Sequence, residues 1–282
     1  MDKRLWAGLL LCAFSFALQA GGSASDVRKQ TEASMLVTGT VDVAQDGSVI
    51  GYAIEKPEQL PAAVTEVVGK AVPQWRFEPV LKDGKPMKAR AKMSLLVVAN
   101  KSDDHHYRVG VRGATFGEER DTSGETVSGK KMAPPQFPRA ALISGVAGSV
   151  YLVLRIDRQG KVEDAIVEQV NLRAVARENE MAQWRSTFAR SALAATKGWA
   201  FTPPTTGASV NDAFWSIRVP IEFQFEGSAP KYGQWQTYIP GPRQQVPWVH
   251  DLDAWSSPDT LMAGGVYQVG TGLHLLTPPD QG

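Results

Sequence analysis

The stretch from Pro134 to Phe225 decides the fold. It opens Pro134-Pro135-Gln136-Phe137-Pro138-Arg139-Ala140-Ala141 and continues Gly148-Ser149-Val150-Tyr151-Leu152-Val153-Leu154-Arg155-Ile156-Asp157-Arg158-Gln159-Gly160-Lys161-Val162. It closes on Trp199-Ala200-Phe201-Thr202-Pro203 and Ile217-Arg218-Val219-Pro220-Ile221-Glu222-Phe223-Gln224-Phe225. Val150, Leu152, Leu154 and Ile156 alternate, the period of a strand with one buried face. Gln159-Gly160 turns the chain, and Val162, Ile166 and Val170 return it. Asn171 to Gly198 reads as a helical region, with Trp184, Phe188, Ala192, Ala195 and Trp199 as its apolar stripe. Gly198 is placed for a left-handed C-terminal cap. Ile217 to Phe225 then forms a last strand with Val219, Ile221, Phe223 and Phe225 on its apolar face. The order is β-β-α-β.

A second, earlier stretch repeats that order. Met35, Val37, Gly39, Val41 and Val43 alternate, and Asp46-Gly47 is a hairpin signal because glycine accepts the positive φ of a tight turn. Val49, Tyr52 and Ile54 continue into a return strand that Pro57 ends. Leu60, Val64, Val67, Val68, Ala71 and Trp75 recur at helical spacing. Pro61 suits the first helical turn and Pro73 stops the helix. After a turn at Asp83-Gly84, Ala89, Ala91, Met93, Leu95 and Val97 mark a strand from Lys88 to Ala99. Superposing the stretches aligns Asp46-Gly47 with Gln159-Gly160, and Trp75-Arg76-Phe77-Glu78-Pro79 with Trp199-Ala200-Phe201-Thr202-Pro203. That is an internal repeat, with about a dozen residues inserted in the second helical region. The expected class is α+β: two small antiparallel sheets, each with a helix packed on one face.

Phe137-Pro138-x-x-Ala141, Gly148-x-Val150, Gly160-x-Val162, Phe188 and Trp199-x-Phe201-x-Pro203 resemble, in order and spacing, the C-terminal domain of TonB. The first stretch resembles that domain less completely, with Val64 where Phe188 stands in the second. The predicted division is a signal peptide over 1–24, a first TonB C-terminal-like unit over 33–100 and a linker over 101–133. A second unit follows over 134–227, then a Pro-, Gly- and aromatic-rich extension over 228–282. Trp75, Phe77, Phe188, Trp199 and Phe201 read as core aromatics that pin helix to sheet, each costing roughly 3–5 kcal/mol to lose.

The resemblance implies that the functional surface is a sheet edge, to which a receptor's extended TonB box adds a strand. The matching strand is Ile217, Arg218, Val219, Pro220, Ile221, Glu222, Phe223, Gln224 and Phe225. An open edge offers unpaired N–H and C=O groups that an extended peptide satisfies. Pro220 removes a donor and favours an edge location; the same residue blunts an edge against partners, so peptide capture and a protected edge both stand. The chain departs from a TonB energy transducer. No histidine lies in Leu5 to Leu18, and folding signals resume by Met35, leaving too short a gap to bridge an envelope at about 3.6 Å per residue.

Composition excludes several alternatives. With 43% hydrophobic and 21% charged residues the chain reads as globular. Formal net charge is +1, and setting aside Asp2, Lys3 and Arg4 takes Lys+Arg from 30 to 28 and Asp+Glu from 29 to 28. A neutral chain offers no electrostatic case for nucleic acid or an anionic membrane surface. Lys3 and Arg4, the apolar run Leu5 to Leu18, and the small residues Gly21 to Ser25 have the layout of a secretory signal. The run falls short of the about 20 residues a spanning helix needs, with an uncleaved inner-membrane anchor as the rival reading. Cys12, the single cysteine, lies inside it behind Leu11, a poor lipidation context, and the mature chain is expected to hold no disulfide.

Asp103-Asp104-His105-His106 in the linker reads as a solvated loop, because adjacent ligands do not converge on one ion. A short strand is possible at Tyr107 to Val111. In the extension, Trp235, Tyr238, Trp248, Trp255 and Tyr267 predict either an arm packed on one unit or an aromatic groove for glycan or peptide. His250, Asp251 and Asp253 form no recognisable metal or acid–base set, and no cofactor is expected. The leading functional expectation is a periplasmic, non-enzymatic module that binds envelope proteins, TonB-dependent outer-membrane receptors among them, by strand addition. The alternatives are a structural envelope protein whose edges are buried between its units or in a homodimer, and a hydrolase using Asp103, His105, His106, His250 or Asp251.

Overall fold

A computed structural model describes residues 31–82, 84–101, 107–117, 123–228, 230–249 and 255–280. The signal-like segment with Cys12, the Asp103–His106 cluster, and His250, Asp251 and Asp253 lie outside the described residues. The fold is α+β.

In the first half, β1 (Glu32–Val43) and β2 (Val49–Ile54) form a hairpin, followed by α1 (Ala62–Ala71). A two-stranded turn, β3 (Leu81–Lys82) and β4 (Lys85–Pro86), leads to β5 (Ala89–Lys101), which pairs antiparallel with β1 over its length. Val64, Val68 and Ala71 of α1 pack with Val37, Val41, Leu95 and Trp75 in one core. The alternation read from the sequence produces this directly, because odd positions of β1 are the buried ones. Pro61 is the N-cap rather than an interior residue, and Val72–Gln74 adds a 3-10 turn around Pro73.

β6 (Tyr107–Phe116) completes the first sheet beside β5, and the second half opens with β7 (Ser128–Lys131) and the short α2 (Arg139–Ile143). β8 (Gly148–Ile156) and β9 (Val162–Leu172) form its hairpin, α3 (Glu178–Thr196) its helix, and β10 (Ala200–Thr202) leads to β11 (Trp215–Phe223). β11 pairs with β8 as β5 pairs with β1. Met181, Phe188 and Ala192 of α3 pack on Val150, Leu152, Leu154, Val219 and Phe223. The helix ends in the right-handed region at Lys197, and Gly198 donates to Ala195 O in a 3-10-type closure. Gly198 is therefore not a left-handed cap. Trp199 N–H donates in turn to Thr196 O at 3.0 Å, so the 3-10 turn continues through Gly198 in place of an αL residue.

The hairpin turns of the two halves are alike in detail. Gly47 (φ +80°) and Gly160 (φ +77°) lie against Phe77 and Phe201, whose amides donate to the glycine carbonyls at 2.8 Å in both cases. A Cβ at Gly47 would stand 1.9 Å from Phe77 O, and one at Gly160 would stand 2.0 Å from Phe201 O. The Trp75–Phe77 and Trp199–Phe201 ring centroids are each 6.4 Å apart. Glycine is required twice for one reason: the Trp-x-Phe segment is buttoned onto the hairpin turn.

Two segments depart from expectation. The region expected to be a linker holds β6, which pairs with β5 from Met93 to Lys101 and buries Val111, Ala114 and Phe116. The short strand expected at Tyr107 to Val111 runs on past Gly113 to Phe116, with a bulge at Leu96/Val97. The extension holds β12 (Gln236–Tyr238) and β13 (Tyr267–Gln268), completing sheets of order β12-β1-β5-β6, with β2 on β1, and β13-β11-β8-β9. It packs on both halves. Ile239 exchanges two backbone hydrogen bonds of 3.1 Å with Leu172, while Leu273 and Leu275 enter the first core.

Candidate functional site

β11 carries most of the residues expected to form a partner-binding edge. The strand spans Trp215–Phe223, so Gln224 and Phe225 lie just past its end. One side pairs with β8 across all nine residues. The other side is covered in cis: Ile217 and Arg218 pair with Gln268 and Tyr267 of β13. Val269 N–H donates to Ser216 O at 2.8 Å, and Gly264 N–H donates to Pro220 O at 3.4 Å. Alternate residues of a strand direct their backbone groups to the same side. Ser216, Arg218 and Pro220 therefore form the outer row, and the N–H that Pro220 lacks belongs to that edge. Proline is tolerated here because no ladder bond is lost.

Side chains of β11 divide between two interiors. Ile217, Val219, Ile221 and Phe223 enter the core beneath α3. Arg218, Glu222 and Gln224, which alternation places on the polar face, do not project to solvent. That face turns toward the first sheet, with the extension between them. Arg218, 7% exposed, donates from Nε and Nη2 to Glu168 at 2.8 and 3.2 Å, and Glu168 is fully buried. Arg243 of the extension adds contacts of 2.8 and 2.6 Å to the same carboxylate. A buried carboxylate persists only when paired and hydrogen-bonded in this way.

Asp259 joins the two sheets. Its carboxylate accepts from Tyr238 on β12, from Asn171 and Gln169 on β9, and from Ser257. Burial pushes this carboxyl above the usual aspartate range despite those four donors. Burial likewise raises Glu222, which is partly offset by Arg173 at 2.6 Å and by the Ser149 hydroxyl at 2.6 Å. Tyr238 and Tyr151 are both raised, by burial first and then by the Asp259 charge.

A cavity of about 470 Å³ lies between the sheets beside this network, lined by Ser34, Thr38, Tyr151, Arg173, Glu222 and Tyr232 among others. Sequence reading missed Glu168, Asp259 and Arg173, which form contacts across long separations. One signal was present: Glu168 is the single charge in Ile166–Val170, and Arg218 is the single positive charge in the otherwise mostly apolar Ile217–Phe223. Opposite charges of that kind on two strands of one sheet, here the strands on either side of β8, point to a buried ion pair.

No protein-family model matches the chain. Over 97 residues, 34% of its length, it is 31% identical to Protein TonB of Xanthomonas campestris pv. campestris strain B100, and equally to that of strain ATCC 33913. The matched stretch makes up 37% of those relatives. The chain is thus TonB-like over about a third of its length, and spans well under half of the relatives it matches. Among the described residues no helix is long and apolar enough to cross a membrane.

Proposed function

We propose that this protein is a periplasmic, non-enzymatic, TonB-like module of two β-β-α-β units that binds an envelope protein by β-strand addition at the outer edge of β11. The likeness to Protein TonB supports the class of partner, an envelope protein such as an outer-membrane receptor. The observation that carries the edge assignment is the brevity of its cover. β13 pairs over two residues, against nine for β8 on the other side, and it is flanked by Gly264, Gly265, Gly270 and Gly272. Few backbone bonds hold it, so an incoming strand that makes a longer ladder replaces it at small cost. The recurrence of the buttoned hairpin turn supports the reading of two copies of one unit.

A second reading is favoured by a specific observation. The outer edge of β5, the counterpart of β11, is paired along nine residues with β6. In this reading both terminal edges are closed by the chain itself, and the protein is a structural envelope component.

Cysteine chemistry separates the two, because the single cysteine of the chain, Cys12, lies in the signal-like segment. Ser216 and Val269 stand opposite one another across the β11 edge. Strand addition predicts that the double variant Ser216→Cys/Val269→Cys, kept reduced, forms amine-crosslinked adducts with an envelope protein. The same variant, once oxidised so that the disulfide closes the edge, forms none. Adduct formation that is equal in the locked and unlocked proteins would favour the structural reading, as would none in either.

A further inference from the structure

We propose that the cavity between the two sheets binds a small neutral polyhydroxylated ligand of mono- or disaccharide size. Its volume of about 470 Å³ falls in the range of small-molecule sites, which occur preferentially where two structural units meet. Ser34 and Thr38 of β1 form one wall, Tyr151 of β8 and Glu222 of β11 the other, and Lys231 and Tyr232 of the extension close it.

Charge decides the class of ligand. Arg173 and Lys231 share the lining with Glu55, Glu222 and Asp259. An anion meets three carboxylates there and a cation meets two basic groups, so neither sign is favoured throughout. Hydroxyl groups suit such a wall because each both donates and accepts. The four donors on Asp259 occupy its oxygens. Glu222 is less fully used: Oε1 accepts from Ser149 and Oε2 from Arg173, one bond each. A carboxylate oxygen has two lone pairs and a guanidinium five N–H groups. The Glu222–Arg173 pair therefore presents an acceptor beside a donor, the arrangement that two neighbouring ring hydroxyls satisfy together. Tyr232, fixed by its hydroxyl donating to Glu55 O at 2.7 Å, supplies aromatic surface for the apolar face of a sugar ring. The site uses an inner face of β11 rather than its edge, so it stands or falls separately from strand addition.

Calorimetric titration of the purified full chain tests this. The neutral ligands are glucose, N-acetylglucosamine and maltose; glucosamine and gluconate are the cationic and anionic controls. The expected result is saturable one-to-one binding of at least one neutral sugar, with both charged analogues at least about tenfold weaker. Glu222→Gln, which replaces an acceptor oxygen by a donor, lowers the affinity about tenfold. Ser34→Trp, which fills the cavity from β1 without touching the Glu222–Arg173 pair, abolishes binding. Absence of saturable binding by every neutral sugar to the wild-type protein overturns the proposal, whether or not the variants fold. So does equal or tighter binding of either charged analogue, or unchanged affinity in both folded variants.

Discussion

Replacing Gly160 by alanine isolates the contact that makes the two halves alike. The backbone there has φ +77°, a conformation that costs an L-residue about 1–2 kcal/mol. The new Cβ would stand 2.0 Å from Phe201 O, a separation no packing tolerates, so the hairpin turn and the Trp199–Phe201 segment must part. Parting them breaks the 2.8 Å bond from Phe201 N–H to Gly160 O, worth about 1 kcal/mol net and more if either group stays buried. The sum is about 2–3 kcal/mol, and more if either group stays buried and unpaired. Gly47→Ala meets the same conditions, with φ +80° and 1.9 Å to Phe77 O, and has the same expected cost. Gly145 is the internal control: its φ is +64°, yet a Cβ there has nothing within 4 Å, so alanine costs only the conformational about 1–2 kcal/mol. Urea denaturation of the three single variants measures the differences. If Gly160→Ala costs no more than Gly145→Ala, the buttoned-turn argument is wrong. A large cost at Gly160 with none at Gly47 would refute the equivalence of the two turns.

Three further outcomes are expected. Glu168→Gln leaves the buried Arg218 guanidinium without its carboxylate and loses the Arg243 contacts, destabilising by about 3–5 kcal/mol in urea or thermal denaturation; a loss below about 1 kcal/mol would show that the seam is solvated. Trp199→Phe removes the indole bond to Ala133 O, whereas the buried Trp75 Nε1 has no partner, so Trp199→Phe is more costly than Trp75→Phe by about 1–3 kcal/mol, and equal costs would contradict this. Glu222 has its carboxyl raised above 4.5 by burial, so the folded protein binds that proton more tightly than the unfolded chain. Its contribution is fully present below pH 4.5 and is lost as pH rises through the raised value. Stability measured across that window falls less in Glu222→Gln, and an unchanged slope would count against the burial of this carboxyl.

How far the sequence reveals the fold depends on the range of the interactions. The alternation in Val150–Ile156, the stripe through Phe188 and Ala192, and the repeated Trp-x-Phe after a glycine turn are local patterns that map directly onto burial. β6 was legible only as a short strand at Tyr107 to Val111; Gly113 weakens the strand character beyond it, and partnership with β5 carries the strand on to Phe116. The extension was hardest to read. Its ordered course comes from contacts such as Ile239 with Leu172, Asp259 with Asn171, and Leu275 with Phe77, across separations that no local period encodes. The edge residues show both limits. Alternation correctly sorted Val219, Ile221 and Phe223 from Arg218, Glu222 and Gln224, but whether the second set faced solvent depended on the first sheet and on the extension.

The central claim is that β13 is a weakly held cover over an edge that a partner strand can take. Native-state hydrogen exchange tests it by comparing the amide of Val269, bonded to Ser216 O, with that of Val219 within the β11–β8 ladder. The account predicts that Val269 exchanges through a local opening, roughly a hundredfold or more faster than Val219. It also predicts that the difference disappears in the oxidised Ser216→Cys/Val269→Cys double variant, whose disulfide closes the edge. Equal protection of Val269 and Val219 in the wild-type protein would mean that β13 leaves only when the whole domain unfolds, and would contradict the account.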